Sequence, residues 1–203
     1  MILPALRLTL TEQGLLIANL IEQVSGQRFE QFMEEQVFTP AGLTRTRVFN
    51  LMSKSEAENR AIGFKKVIFN KIKIRDLNQW DGVAGDGGIY STTEELLEWH
   101  KSLMRGDIIP TEFYQQAMRF NPNTDSLKQK YGFGWFILSE NEVEHAGGWQ
   151  GFSSYFYRNE KSDSIIVVLD NASHSLQMAP YGTRWNSMSL NLRQWLNSQV
   201  AWD

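Results

Sequence analysis

His145-Ala146-Gly147-Gly148-Trp149-Gln150-Gly151-Phe152-Ser153-Ser154 sets an imidazole and a glycine-rich backbone immediately ahead of the alternating run Tyr155-Phe156-Tyr157. Glycine within a strand lets a second backbone come close. The exposed N–H groups of such a strand can hold a carbonyl or an oxyanion. Alone, the run also reads as a histidine on a strand that enters a glycine turn.

Outward from this stretch the pattern is that of an antiparallel meander. Expected strands cover Gly132 to Ser139, Glu142 to His145, Ser153 to Arg158 and Ser164 to Leu169. Asn159-Glu160-Lys161-Ser162-Asp163 joins the last two as a hairpin loop, because it sets turn residues between two alternations. A helix from about Trp185 to Trp202 can lay Met188, Leu192, Trp195, Leu196 and Val200 against the sheet. Upstream, Leu16, Ile17, Leu20, Ile21 and Val24 recur at spacings of three and four, predicting a helix over about Thr11 to Val24 with Gly26 as its cap. A second helix, Phe29 to Val37, ends at Thr39-Pro40-Ala41-Gly42. Residues Ala61 to Ile74 turn strand-like. Lys65, Lys66, Lys71, Lys73 and Arg75 form their polar face, interleaved with Val67, Ile68, Phe69, Ile72 and Ile74. Ser91 and Thr92 each have a glutamate three residues on, the capping-box spacing. The helix they open buries Leu96, Trp99, Leu103 and Met104 and stops at Gly106, and a short helix covers Thr111 to Met118. Helices, then a meander, then a helix predict an α+β layer arrangement. It is taken as one domain, mainly helical over 1–125, with the meander and closing helix in 126–203.

Several separate segments resemble one enzyme group. Gly85-Asp86-Gly87-Gly88-Ile89-Tyr90-Ser91-Thr92-Thr93-Glu94-Glu95-Leu96-Leu97-Glu98-Trp99 is similar to the GxGGLYSTxxDLxxW segment of the β-lactamase-like serine hydrolases. That group includes class C β-lactamases, penicillin-binding proteins, D-amino-acid peptidases and esterases. Leu20-Ile21-Glu22-Gln23-Val24-Ser25-Gly26-Gln27-Arg28-Phe29 followed by Val37-Phe38-Thr39-Pro40-Ala41-Gly42-Leu43 resembles the group's IIEKVSGQSF and IFxPLGM. The opening decamer resembles its HTGGxxGFSS strand, and Val167-Val168-Leu169-Asp170-Asn171 its VVLTN. The resemblance implies a β-lactamase/transpeptidase-like fold, an antiparallel sheet flanked by helices, of bacterial type.

The group's nucleophile is the serine of S-x-x-K, whose lysine shares its proton. No S-x-x-K occurs in these 203 residues. Ser102-Leu103-Met104-Arg105 and Ser25-Gly26-Gln27-Arg28 come nearest, and arginine stays protonated. Aligned on Ser25-Gly26, Thr9-Leu10-Thr11 falls where the group has Y-x-N. The sequence is therefore expected to represent a C-terminal portion, without the N-terminal strands that complete the sheet.

By the resemblance, His145 occupies the place of the third-motif Lys or His, which lines the cleft to move a proton or hold a substrate carboxylate. Gly148 matches the residue whose N–H forms half of the oxyanion hole. Gly147 allows substrate backbone to approach, Trp149 can wall the cleft, and Ser91 is a further substrate-binding candidate. Both glycine-rich motifs border the cleft in the group. Asp86 suits a turn, and of Ser153 and Ser154 only one can face the cleft, since they alternate along a strand.

Composition bounds the alternatives. Net charge is −3, with 42% hydrophobic and 21% charged residues and no basic stripe, which disfavours a nucleic-acid role. There is no cysteine, and His100, His145 and His174 lie far apart, so neither a metal nor another cofactor is expected. Met1-Ile2-Leu3-Pro4-Ala5-Leu6-Arg7 does not resemble a signal peptide and no apolar run spans a bilayer. A soluble chain is expected, its compartment open because relatives are often exported. The implied activity is acyl transfer or hydrolysis at an amide, lactam or ester, absent from this chain alone. The rival is a non-catalytic binding or scaffold protein that keeps the cleft for peptides or cell-wall fragments. Partners follow: a small-molecule or peptide ligand, and a strand for the edge at 164–169, from a second copy or a separate N-terminal chain.

Overall fold

A computed structural model describes residues 10–49, 59–66, 72–76, 84–85, 87–119 and 130–172. The expected closing helix, His174, Asp86 and the apolar run Val67-Ile68-Phe69 lie outside these residues. The chain divides into two compact units, Met1–Arg60 with Leu77–Ser102, and Ala61–Asp76 with Leu103–Asp203.

In the first unit, helix α1 runs Leu10–Ser25 and ends where Gly26 takes φ 70°, its N–H donating to Glu22 O at 2.9 Å. The aliphatic stripe does not face the core. Leu16, Ile17, Leu20 and Val24 stand exposed, Val24 at 79%. The buried contact is Ala18, and it needs Gly85 (φ 92°): a Cβ there would collide with the Gly14 carbonyl and lie 2.7 Å from Ala18 Cβ. Helix α2, Phe29–Met33, starts with Phe29 buried and its N–H on Glu22 Oε1 at 2.8 Å. It continues as a π-helical turn, Glu34–Phe38, rather than as the regular helix expected. The wider turn sends Thr39 N to Glu34 O and Leu43 N to Phe38 O, and seats Phe38, Ala41 and Leu43 in the core. Strands β1 (Arg47–Val48) and β4 (Ile89–Tyr90) form a short antiparallel pair.

Helix α3, Thr93–Arg105, is capped by Thr92, whose Oγ1 accepts from Glu95 N–H at 3.2 Å. The Glu95 carboxylate does not fold back to close a capping box. It accepts from Arg45 N–H (2.8 Å) and Thr46 Oγ1 (2.6 Å), with Thr44 Oγ1 at 3.4 Å. Burial pushes the Glu95 pKa up, but these donors and the Arg45 guanidinium outweigh it and hold the group below the ordinary carboxylate range. The buried face of α3 is unexpectedly polar. Glu95, His100 and Ser102 are buried with Leu103, whereas Met104 is exposed.

The second unit is built on a four-stranded antiparallel sheet in the order β5-β6-β7-β8: Phe136–Ser139, Glu142–Trp149, Phe152–Asn159 and Ser164–Asp170. The meander keeps the expected order, but its first strand begins at Phe136 rather than Gly132 and its second is longer than expected. The glycine run does not end β6, which pairs continuously with β7 from Glu142↔Asn159 to Trp149↔Phe152 and turns at Gln150-Gly151. β7 is the core strand: Ser153, Tyr155, Phe156, Tyr157, Arg158 and Asn159 are buried. Helix α4, Thr111–Ala117, follows Pro110 and places the Tyr114 hydroxyl 2.5 Å from Arg158 Nη1. β2 (Phe64–Lys66) and β3 (Ile72–Ile74) form a hairpin. Ile72 and Ile74, interleaved with its charged residues, are exposed as well. The hairpin instead grips the β6–β7 turn through backbone. A Cβ on Gly151 would collide with Phe64 N and Arg75 O, and Arg75 Nε donates to Gln150 Oε1 at 3.0 Å. Helices and antiparallel sheets make this an α+β fold. No helix among the described residues is long and apolar enough to cross a membrane.

Candidate functional site

Strand alternation puts His145, Gly147 and Trp149 on one face of β6, with Phe152, Ser154 and Phe156 opposite them on β7. Gly147 has a side chain laid over it, since a Cβ there would sit 2.6 Å from Ser154 Oγ. Of the two candidate serines, Ser154 thus shares the His145 face, half-buried. Ser153 points to the other face, where its buried hydroxyl has no hydrogen-bond partner among the described residues.

His145 is half-buried and held by two aromatic rings. Phe136 stacks on it with centroids 5.8 Å apart and planes at 22°, and Tyr131 Oη lies 3.1 Å from Nε2. Burial lowers the His145 pKa, favouring the neutral imidazole, and pushes the Tyr131 phenol up to about 12. Tyr131 is a site neighbour that the sequence pattern does not single out. It stands in an irregular turn and meets β5 by a single bridge to Phe136.

The ladder itself fixes the direction of the Gly148 amide. Trp149 and Phe152 flank a two-residue loop, so they exchange the last hydrogen bonds of the hairpin. Counting back, Gly147 and His145 also bond to β7, whereas Gly148, Ala146 and Glu144 turn N–H and C=O to the opposite edge. β5 takes that edge from Glu142 to Glu144 only, and no described strand continues past it. Gly148 is exposed there. The edge can therefore bond an extended chain or polarise a carbonyl oxygen.

Ser91 lies in the first unit, where its hydroxyl pairs with Thr46 Oγ1 at 2.8 Å, within the Glu95 cluster. The cluster thus shares Ser91 between the end of β4 and the segment entering β1. No group of three His, Cys, Asp or Glu side chains that could hold a metal occurs among the described residues.

Residues 11–186 match the family described as Beta-lactamase. Penicillin-binding protein 4* of Bacillus subtilis (strain 168) is 29% identical over 172 residues, covering 77% of this chain and 38% of that protein. The octameric penicillin-binding protein homologue from Pyrococcus abyssi superposes with a TM-score of 0.71 at 21% identity, over 95% of this chain and 44% of that one. The D-amino acid amidase from Ochrobactrum anthropi SV3 complexed with L-phenylalanine gives 0.71 at 15%, over 96% and 58%. The chain thus spans about two fifths of the length of the curated relative. With the matched family covering most of its length and the fold shared by these structures, the chain belongs to the beta-lactamase family.

Proposed function

We propose that this polypeptide supplies the ligand-binding strand of a serine-hydrolase site that acts on an amide, lactam or ester carbonyl, and forms no acyl-enzyme by itself. The carrying observation is that Gly148 is exposed on the edge of β6 that no described strand covers, beside His145, whose pKa burial lowers. Gly148 N–H polarises the carbonyl oxygen and His145 supplies a hydrogen bond to the ligand. Gly147 leaves room for its backbone and Trp149 walls the site. Ser91, in the segment Gly85 to Trp99, is a further ligand-binding residue whose hydroxyl pairs with Thr46. Similar proteins named as a penicillin-binding protein and a D-amino acid amidase favour a D-amino-acyl or lactam carbonyl as the ligand. These 203 residues offer no serine with a lysine three positions on, so proton transfer from a nucleophile has no partner. The test is intact-mass spectrometry after incubation with a fluorescent penicillin and, separately, a fluorophosphonate. No covalent adduct is expected; a stoichiometric adduct overturns the reading, and its location names the nucleophile.

We infer also that the outer edge of β8 pairs with a strand of a second copy. Ser164-Ile165-Ile166-Val167-Val168-Leu169 ends the described sheet, and the residues just past β8 meet β2, by Phe64 N–H to Asn171 O at 2.8 Å. A long β-branched edge is rarely left bare. The octameric Pyrococcus abyssi homologue supports assembly.

A further inference from the structure

We propose that Tyr131 is a positioning residue for His145: its phenol O–H donates to Nε2, keeps the ring proton on Nδ1, and so presents His145 to the ligand as a hydrogen-bond donor rather than as a base. The ligand role rests on the function proposed above; the tautomer does not.

The geometry is a 3.1 Å contact between Tyr131 Oη and His145 Nε2. Neither ring has room to drift. Tyr131 is buried and meets Phe136 edge-on at 4.8 Å and 71°, and the same Phe136 ring lies against His145. Tyr131 also pairs with Phe136 through backbone, so phenol, phenyl and imidazole are held as one cluster.

Direction follows from chemistry. A phenol O–H is a stronger donor than an imidazole N–H, and an imidazole lone pair is a stronger acceptor than a phenol oxygen. With both rings neutral, O–H to Nε2 is the better of the two possible bonds. That choice sets the tautomer, because the nitrogen that accepts cannot carry the proton. Nδ1–H then remains as the polar group of the ring. On the same face stand Gly147, which has no side chain, and the Ser154 hydroxyl above it. Two neutral donors in a row suit an acyl carbonyl or carboxylate oxygen. The phenol occupies the nitrogen that a base would use.

The experiment uses the full chain with 15N-labelled histidine and long-range proton–nitrogen spectra at neutral pH. His145 is assigned by the signal lost in His145→Gln. The expected pattern is protonated Nδ1 with a bare, hydrogen-bonded Nε2. Tyr131→Phe should move His145 toward the Nε2–H tautomer, which dominates for the histidine side chain in water, while the backbone amide spectrum shows an unchanged fold. An Nε2–H pattern in the unmodified chain overturns the proposal, as does a pattern identical in Tyr131→Phe. A titration with N-acetyl-D-alanyl-D-alanine separates the two readings. Roughly tenfold weaker binding in Tyr131→Phe supports the donor role, one lost hydrogen bond being about 1.4 kcal/mol. No binding by the unmodified chain overturns the ligand reading and leaves the tautomer result to decide the role of Tyr131.

Discussion

Thr46 and Glu95 stand forty-nine positions apart, and the hydroxyl of one donates to the carboxylate of the other at 2.6 Å, both buried. Removing the donor leaves a buried carboxylate under-bonded. Thr46→Val should cost about 1–3 kcal/mol in urea unfolding at neutral pH.

The same carboxylate sets an acid limb. Its folded pKa is depressed, so its stabilisation is complete above the ordinary glutamate value, about 4.3, and is lost as pH falls through the lower folded value. Glu95→Gln should therefore be less stable than the parent at neutral pH, with the gap closing below about pH 4. Unfolding free energies measured over that range check it; a gap independent of pH would refute it.

At the other end of the scale, Tyr114 and Tyr131 are each raised from 10.0 to about 12, chiefly by burial. A raised pKa gives stability that is whole below the unfolded value and vanishes as pH rises through the folded one. Ultraviolet titration should show Tyr114 and Tyr131 ionising late, with alkaline unfolding between pH 10 and about 12. Tyr114→Phe and Tyr131→Phe should each remove one late phenol.

Gly147 and Ser154 are coupled by space. Gly147→Ala puts a methyl 2.6 Å from Ser154 Oγ and should cost about 1–3 kcal/mol. Ser154→Ala removes the obstructing oxygen, so the double variant should be more stable than the sum of the singles predicts. Additive losses would show that Ser154 turns aside without strain.

For the β8 edge, light scattering with size exclusion should give more than one copy per particle, and amides of Ser164 to Leu169 should exchange slowly. A monomer whose residues 164–169 exchange rapidly would show that the edge needs no partner.

Much of the meander is legible from its local residue types, the β-branched apolar run from Ile165 to Leu169 above all. β6 was expected to stop at His145, since glycines read as a turn. Register overrides that reading: Gly147 and Gly148 have Ser154 and Ser153 opposite them, and only Gln150-Gly151 lacks cross-strand partners. The α1 period correctly marks a helix but not its buried side, because burial there is decided by Gly85 on a distant loop. His145 and Gly148 carry a local motif. Tyr131 carries none, since its link to His145 spans fourteen positions and an irregular turn. Glu95 is legible as a cap neighbour, yet its carboxylate goes to Thr44, Arg45 and Thr46, an association no local spacing encodes.

The two compact units are threaded through one another in sequence, the chain changing unit after Arg60, Asp76 and Ser102. No single cut releases either as a continuous piece. During synthesis, β2 and β3 emerge early but must wait for the strand they lean on: Asn171 Nδ2 bonds Ile62 O across 109 positions. Such distant pairing is slow to form. The β6–β7 turn, gripped by that hairpin, is then among the last parts of the molecule to acquire its shape, so a stalled or truncated chain would hold His145 without its setting.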